Sequence, residues 1–172
     1  MGTVLAAAIL TAVAASAWSD PIPRLAVESL SGSAATLPDD LPAGLTILVI
    51  GFTQKAGDNT RPWGERLGKD FTPANGFTVY SVAVLAGVPA FFRPLAVNAI
   101  RGSVPQSQQG SFFIVKSDES AWRTLAGYKL PDDPYVVVLD KNGNVLARHA
   151  GLFSEEGYRD VAAQIQGAKT WN

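Results

Sequence analysis

Apolar positions along the chain follow two periods, one typical of strands and the other of helices. Residues 45–52 form a nearly continuous apolar run rich in β-branched side chains, which indicates a central strand buried on both faces. Further runs at 77–85, 112–116 and 135–139 predict three more strands. Between the first two runs, large apolar side chains recur every four residues, which predicts a helix with one buried face. These side chains are Trp63, Leu67 and Phe71.

Turn residues predict two hairpins at the ends of this pattern. Residues 25–30 and 34–37 flank a short Ser-Gly-Ser turn, which predicts a hairpin near the start of the chain. Asn142-Gly143 separates the run at 135–139 from a second run at 145–150. Asn-Gly between two such runs is a strong signal for a tight hairpin.

Capping residues predict where the helices begin. Asn59 or Thr60 is the expected cap of the helix that carries Trp63, with Pro62 in its first turn and a polar loop at 53–60 before it. A second helix is expected over residues 91–102, followed by a polar loop at 103–110. Two later helices are expected after the caps Ser117 and Ser154. The apolar face of the last helix is expected to consist of Tyr158, Val161, Ala162 and Ile165.

The N-terminal segment has the composition of an export signal. Residues 1–17 are apolar and Ala-rich and end in Ala15-Ser16-Ala17, which resembles a signal-peptidase site, although no Lys or Arg precedes the apolar run. The alternatives are an uncleaved N-terminal anchor and a buried helix. We therefore expect an exported protein of the periplasm or cell envelope, with one domain over residues 18–172.

Composition excludes several classes of function. The chain has no cysteine, which removes disulfide, thiol and thiolate–zinc chemistry. Its net charge is −1 and no basic stripe is present, so nucleic acid is not an expected partner. His149 is the only histidine and supplies only one metal ligand. We expect no cofactor and no metal.

The second half of the chain resembles thioredoxin. The resemblance lies in Asp133-Pro134-Tyr135 with its following strand, the Asn142-Gly143 turn, Gly151 and the capped last helix. It implies a thioredoxin-like α/β fold: a central mixed β-sheet flanked by helices and completed by a C-terminal β-hairpin plus helix. In that family the proline before this strand is cis, so the resemblance implies a cis Asp133–Pro134 bond.

The first half is similar to the exported TlpA-type or peroxiredoxin-type branch of that superfamily. In this branch a Cys-x-x-Cys motif follows the first central strand. The equivalent stretch here is Gly57-Asp58-Asn59-Thr60, which has no thiol. Thr53-x-x-Ala56 also resembles the peroxiredoxin Thr-x-x-Cys, with alanine in place of the nucleophile.

Short motifs in the middle of the chain indicate one family within this superfamily. Phe52-Thr53, Trp63, Phe91-Phe92-Arg93-Pro94 and Ile100-Arg101-Gly102 are similar to the thioredoxin-like assembly-factor family of the mitochondrial ATP synthase and its bacterial relatives. That family also lacks the redox cysteines, and its role is to help a membrane subunit assemble. The overall resemblance extends over residues 25–165.

Three segments are candidates for binding, and each has a purely structural alternative. The loop around a helix N-terminus could accept a carboxylate or a peptide group, or its residues could simply cap the helix. The Pro134 loop could pair with an extended peptide, or serve only as a turn. Two arginines eight residues apart could hold a carboxylate or an anionic lipid head group, or lie on a solvated face. The candidate residues are Thr53, Gln54, Lys55, Asp58, Asn59, Arg93, Arg101, Asp133, Pro134 and Tyr135.

These features favour a non-redox binding module of the cell envelope with a protein partner. By resemblance, that partner is a subunit of a membrane complex that needs an assembly factor or chaperone, and any membrane association of the chain itself is peripheral. The alternatives are a degenerate antioxidant or oxidoreductase that uses another residue, and a scaffolding domain held permanently in an envelope complex.

We expect the purified, metal-free protein to consume no hydrogen peroxide, because the sequence supplies no thiol and no base beside Thr53 that could replace one. A peroxide-consumption assay measures this directly. Turnover above that of buffer would favour the antioxidant alternative.

Overall fold

The computed structural model describes residues 21–169, so the predicted signal segment lies outside the described residues. Seven strands form one mixed sheet in the order β2-β1-β5-β4-β3-β6-β7. The strands are β1 (Leu25–Ser29), β2 (Ala34–Leu37), β3 (Leu45–Gly51), β4 (Phe77–Val84), β5 (Phe112–Val115), β6 (Tyr135–Leu139) and β7 (Val145–Ala150). The helices are α1 (Gln54–Asp70), α2 (Arg93–Ser103), α3 (Glu119–Ala126) and α4 (Glu155–Lys169), with short 3₁₀ turns at Pro73–Asn75 and Gln106–Ser111. The expected α/β architecture is confirmed.

Strand β3 lies in the middle of the sheet, as its apolar run predicts. It pairs in parallel with β4 and antiparallel with β6, and all seven of its residues are buried. Burial on both faces explains why the run is continuous rather than alternating.

Two hydrophobic layers cover the sheet, one on each face. On one face, Leu48 and Ile50 of β3 pack with Trp122 of α3. On the other face, Ile47 and Val49 pack with the apolar sides of α1 and α4. The helix residues in this second layer are Trp63, Leu67, Tyr158, Val161 and Ile165. The predicted stripes of α1 and α4 are therefore confirmed.

The two predicted hairpins are present. β1 and β2 pair antiparallel around Gly32, and β6 and β7 pair antiparallel around Gly143. In the second turn, Asp140 accepts hydrogen bonds from the amides of Asn142 and Asn144, at 2.9 and 2.8 Å. Gly143 has a φ of +83°, and a Cβ at this position would lie 2.6 Å from Cβ of Pro38. Only glycine meets both conditions.

The predicted start of α1 is wrong. The helix begins at Gln54, so residues 54–60 are helical rather than a loop, and Pro62 lies in the interior of the helix. Ala56 and Thr60 are buried on the side that also carries Trp63 and Leu67, which extends the apolar stripe toward the N-terminus. Burial of this longer stripe outweighs the cost of an interior proline, which is about 3 kcal/mol.

The predicted cap of α3 is also displaced. Asp118, not Ser117, is the N-cap residue, and it has a φ of +57°, which aspartate tolerates better than most residues. The Ser117 hydroxyl instead bonds to the Asp118 carboxylate at 2.8 Å. By contrast, the Ser154 cap of α4 is confirmed, since its Oγ accepts the Gly157 amide at 3.0 Å.

We expect Trp63→Ala to lower the free energy of unfolding by about 3–5 kcal/mol, because Trp63 is completely buried between the sheet and two helices. Urea unfolding followed by circular dichroism measures the change. Leu146→Ala, at an exposed position of β7, is the matched control and should change stability by about 0.5 kcal/mol or less. Equal unfolding midpoints for the two variants would contradict this account of the core.

Candidate functional site

The candidate site lies where α1 begins and where β6 is about to begin. Ile50 near the end of β3 pairs with Tyr135 at the start of β6, because these strands are antiparallel. The first turn of α1, which follows β3, therefore lies beside residues 130–134, which precede β6. Two segments about 79 residues apart in sequence thus meet at one edge of the sheet.

Thr53 connects the two segments. Its Oγ1 accepts a hydrogen bond from the Ala56 amide at 3.0 Å, which makes it the N-cap of α1. The same hydroxyl donates to Oδ1 of Asp132 at 2.9 Å. One side chain therefore caps the helix and holds the loop before β6.

Asp132 is the centre of this contact. Its Oδ2 lies 3.3 Å from Nζ of Lys55, and its backbone carbonyl accepts a hydrogen bond from Nδ2 of Asn59 at 2.9 Å. The hydrogen bond from Thr53 and then the contact with Lys55 lower the pKa of the Asp132 carboxyl. We name the group formed by Thr53, Lys55, Asn59 and Asp132 the Asp132 junction.

Sequence reasoning chose Asp133 and missed Asp132. The two aspartates are adjacent before Pro134, and nothing in their spacing distinguishes the one that points toward α1. The contacts that distinguish Asp132 are those with the Thr53 hydroxyl and the Asn59 amide. They join segments that are distant in sequence, so only the tertiary structure reveals them.

The prediction of a cis Asp133–Pro134 bond is wrong. Among residues 21–169, the only cis peptide bond is Leu37–Pro38. The loop before β6 is stabilised by other contacts: the buried Tyr135 hydroxyl donates to the Leu130 carbonyl at 2.6 Å and accepts the amides of Lys129 and Leu130, each at 2.9 Å. With the loop fixed by this hydroxyl and by the Asp132 junction, Pro134 takes the trans form that X–Pro bonds ordinarily prefer.

The other loop candidates differ in their exposure to solvent. Gln54 is exposed in the first turn of α1, and Asp58 is exposed and lies 3.8 Å from the Arg61 guanidinium. Pro134 is buried, and its carbonyl accepts the Gly151 amide at 3.1 Å. Gln54 is thus available at the surface, whereas Pro134 and Tyr135 support the loop from beneath.

Arg93 and Arg101 bond to separate backbone segments. Arg93 donates to the carbonyls of Ala86 and Val88, both at 2.8 Å. Arg101 donates to the Leu30 carbonyl at 3.3 Å and to Oδ1 of Asn98 at 3.2 Å. Each guanidinium therefore donates hydrogen bonds within the fold. That the two arginines together hold a carboxylate or an anionic head group stays a prediction.

Aromatic rings lie behind the Asp132 junction. The ring of Phe52 is in edge contact with the rings of Tyr128 and Tyr135, at centroid distances of 5.0 and 5.7 Å. The Arg123 guanidinium lies over the Tyr128 ring at 4.1 Å. These contacts make a rigid wall beside the start of α1.

Two exposed leucines belong to the two loops that meet here, the loop before β6 and the loop after β7. Leu130 precedes Pro134 and has 58% of its surface exposed, and Leu152, with 62% exposed, follows the Gly151 that bonds to Pro134. The Trp63 indole donates to the Gly151 carbonyl at 3.1 Å and so fixes this second loop. The ring of His149 packs on Trp63, and burial lowers the pKa of that histidine.

The Thr53 hydroxyl is not activated as a nucleophile by its neighbour. Among residues 21–169, its proton acceptor is Asp132, and a carboxylate with a lowered pKa is a weak base. Within residues 21–169, no group of three or more His, Asp or Glu side chains is placed to hold a metal ion. In the same part of the chain, none of the helices has the length and apolar character needed to cross a bilayer.

We expect Asp132→Asn to destabilise the protein near neutral pH and to have little effect in acid. Because the pKa of Asp132 is lowered in the folded state, its stabilising contribution is complete above the unfolded value of about 3.9 and is lost as pH falls through the folded value. Thermal melts of both proteins between about pH 7 and pH 2 should therefore converge at the acid end. Asp58→Asn is the matched control, and a constant difference at every pH would contradict the role of the Asp132 charge.

Comparisons with known proteins agree on the fold. No protein-family model matches the chain. No curated protein matches it in sequence. Among solved structures, the thioredoxin domain of a thiol-disulfide oxidoreductase from Bacteroides vulgatus superposes with a TM-score of 0.57 and 18% identity, over 87% of this chain and 98% of that one.

Two further structures give the same result. The exposed lipoprotein thioredoxin Etrx1 from Streptococcus pneumoniae has a TM-score of 0.58 and 12% identity, over 83% of this chain and 99% of that one. BsSco, a member of the Sco family of cytochrome c oxidase assembly proteins, has a TM-score of 0.58 and 13% identity, over 88% of this chain and 95% of that one. The chain has the thioredoxin-like fold.

Proposed function

We propose that the chain is a non-redox binding module that holds an extended segment of a protein partner beside the Asp132 junction. The binding surface consists of the exposed first turn of α1, residues 130–134 and the loop after β7. We refer to it as the junction surface. In this proposal the partner's backbone pairs with the loop before β6, and its side chains contact the exposed leucines.

One observation carries the proposal: Asp133 has an unpaired backbone N–H and an unpaired backbone C=O in the loop that also carries the exposed Leu130. Within residues 21–169, the backbone N–H and C=O of Asp133 bond to no other group, while the neighbouring carbonyls of Asp132 and Pro134 are both occupied. An open backbone donor and acceptor are what pairing with an added strand requires. Leu130 in the same loop and Leu152 after β7 offer apolar contact nearby.

The rigidity of the loop supports the same proposal. Residues 129–135 are held by the Tyr135 hydroxyl and by Asp132, so little conformational entropy is lost when a partner binds. None of these contacts needs a thiol. Peptide recognition of this kind is therefore compatible with a chain that has no cysteine for thiol–disulfide exchange.

We further propose that the module works in the cell envelope as an assembly factor for a membrane complex. Its apolar N-terminal segment has the pattern of an export signal. Two proteins of similar fold are described as an exposed lipoprotein thioredoxin and as a member of a cytochrome c oxidase assembly family. The similarity of residues 91–94 and 100–102 to the ATP synthase assembly-factor family points to the same class of role.

A photo-crosslinking amino acid at Gln54 tests the proposal, because Gln54 is exposed in the junction surface. We expect it to capture one protein of the membrane fraction in cells, identified by mass spectrometry. The matched control carries the crosslinker at Lys141, which is exposed in the β6–β7 turn at the opposite end of β6. Lys141 should capture nothing in common with Gln54.

The double variant Leu130→Ser/Leu152→Ser then tests the surface itself. We expect capture from Gln54 to fall by about tenfold or more, because two apolar contacts are lost at the centre of the interface. Both leucines are exposed, so circular dichroism should report an unchanged fold. Undiminished capture, or equal capture from Gln54 and Lys141, would overturn the proposed function.

A further inference from the structure

Helix α2 and the turn before it carry an apolar patch that the rest of the described chain leaves uncovered. None of the residues of α2 is buried. Phe91 and Phe92 are 75% and 52% exposed, and Leu95 is 70% exposed. Three large apolar side chains together at the surface of a small domain indicate a contact site rather than chance exposure.

The turn that presents this patch is held by specific contacts. Arg93 donates to the carbonyls of Ala86 and Val88, and the Phe92 amide donates to the Pro89 carbonyl at 2.9 Å. The two phenylalanine rings lie against each other, with their centroids 4.1 Å apart. The rings are therefore kept outward by a structured turn.

The segment that carries the patch has only basic charges. The Glu119 carboxylate of α3 lies beside Gly87 in the turn before α2, but it is already paired with Arg123 at 2.6 Å. Residues 71–117 contain Arg93, Arg101 and Lys116, and none of the fifteen Asp and Glu residues of the chain. Lys116 is neutralised by Glu28 at 2.5 Å. Within residues 21–169, Arg93 and Arg101 form no ion pair, so their charges are uncompensated beside the apolar side chains.

We propose that this patch docks onto a membrane surface that contains anionic lipids. Aromatic and leucine side chains enter the boundary between head groups and acyl chains, while neighbouring arginines attract anionic head groups. A second copy of this chain is a poorer occupant. Its symmetric approach would place the same arginines together, and residues 71–117 of the second copy would bring no carboxylate to pair with them.

Docking in this way would bring the junction surface to the membrane. Strands β3 and β4 are parallel, so the start of α1 and residues 85–92 emerge from the same edge of the sheet. With the junction surface at the membrane, a module of the proposed function would lie close to the membrane subunit that it binds. The docking itself, however, does not depend on the proposed protein partner.

An environment-sensitive dye at position 99 tests the docking in the full-length protein. The chain has no cysteine, so Ala99→Cys takes a single label, and Ala99 is exposed one helical turn after Leu95. We expect the dye emission to shift to shorter wavelength with phosphatidylcholine vesicles containing roughly one third phosphatidylglycerol, and to shift far less with phosphatidylcholine alone. The matched control is the same dye at Leu146→Cys on β7, which should not respond.

Two variants in the Ala99-labelled protein identify the residues responsible. Phe91→Ser/Phe92→Ser should raise the lipid concentration needed for half the shift by about tenfold or more. Arg101→Gln should raise it by about fivefold, since one cation near an anionic surface has that effect. Circular dichroism should show an unchanged fold in both.

Other outcomes would overturn the docking proposal. One is an emission wavelength of the dye at position 99 that does not change with anionic vesicles. That result is expected if only another segment of the chain binds lipid. A second is an undiminished response after Phe91→Ser/Phe92→Ser. A third is a dimer in sedimentation equilibrium that these substitutions convert to a monomer, which would show that a second copy covers the patch. Because the vesicles contain no protein, none of these results bears on the junction surface.

Discussion

The whole arrangement depends on the burial of β3 between two apolar layers. Its side chains alternate between a layer completed by α3 and a layer completed by α1 and α4. Because β3 pairs with β4 on one side and β6 on the other, its position also sets theirs. The start of α1 follows directly from the end of this strand. The site is therefore located by the strongest hydrophobic constraint in the chain.

The Asp132 junction shows how this fold joins α1 to the loop before β6 without cysteine. A helix N-terminus still meets the loop before β6, but a threonine hydroxyl, a lysine and an aspartate make the contact. Their mutual bonds lower the pKa of Asp132 and leave no activated nucleophile. The backbone N–H and C=O of Asp133 and the side chains of Leu130 and Leu152 stay open, and the proposed binding of a partner segment rests on these groups.

Errors in the sequence-based predictions have a common physical origin. Pro62 and the polar residues before it indicated a loop, yet α1 extends through them because Ala56 and Thr60 are buried against the sheet. Asp133 was chosen over Asp132 because local spacing cannot tell which carboxylate faces a segment 79 residues away. The cis bond at Pro134 was carried over from a family, whereas the loop here is fixed by Tyr135 and the Asp132 junction. For α1 a tertiary contact overrode a local preference, and for Asp132 it made a choice that no local preference could make. At Pro134 the bond keeps the ordinary trans form.

The sequence by itself determined the strands, both hairpins, the stripes of α1 and α4 and the absence of thiol chemistry. These follow from side-chain period, turn residues and composition, which are local properties of the chain. Only the tertiary structure decided that Asp132 links α1 to the loop before β6, that Arg93 and Arg101 bond to separate backbone segments, and that Phe91, Phe92 and Leu95 are left exposed. Phenylalanine and leucine are usually buried, so their pattern predicts a core contact. Whether such a contact exists depends on which elements the sheet brings beside them.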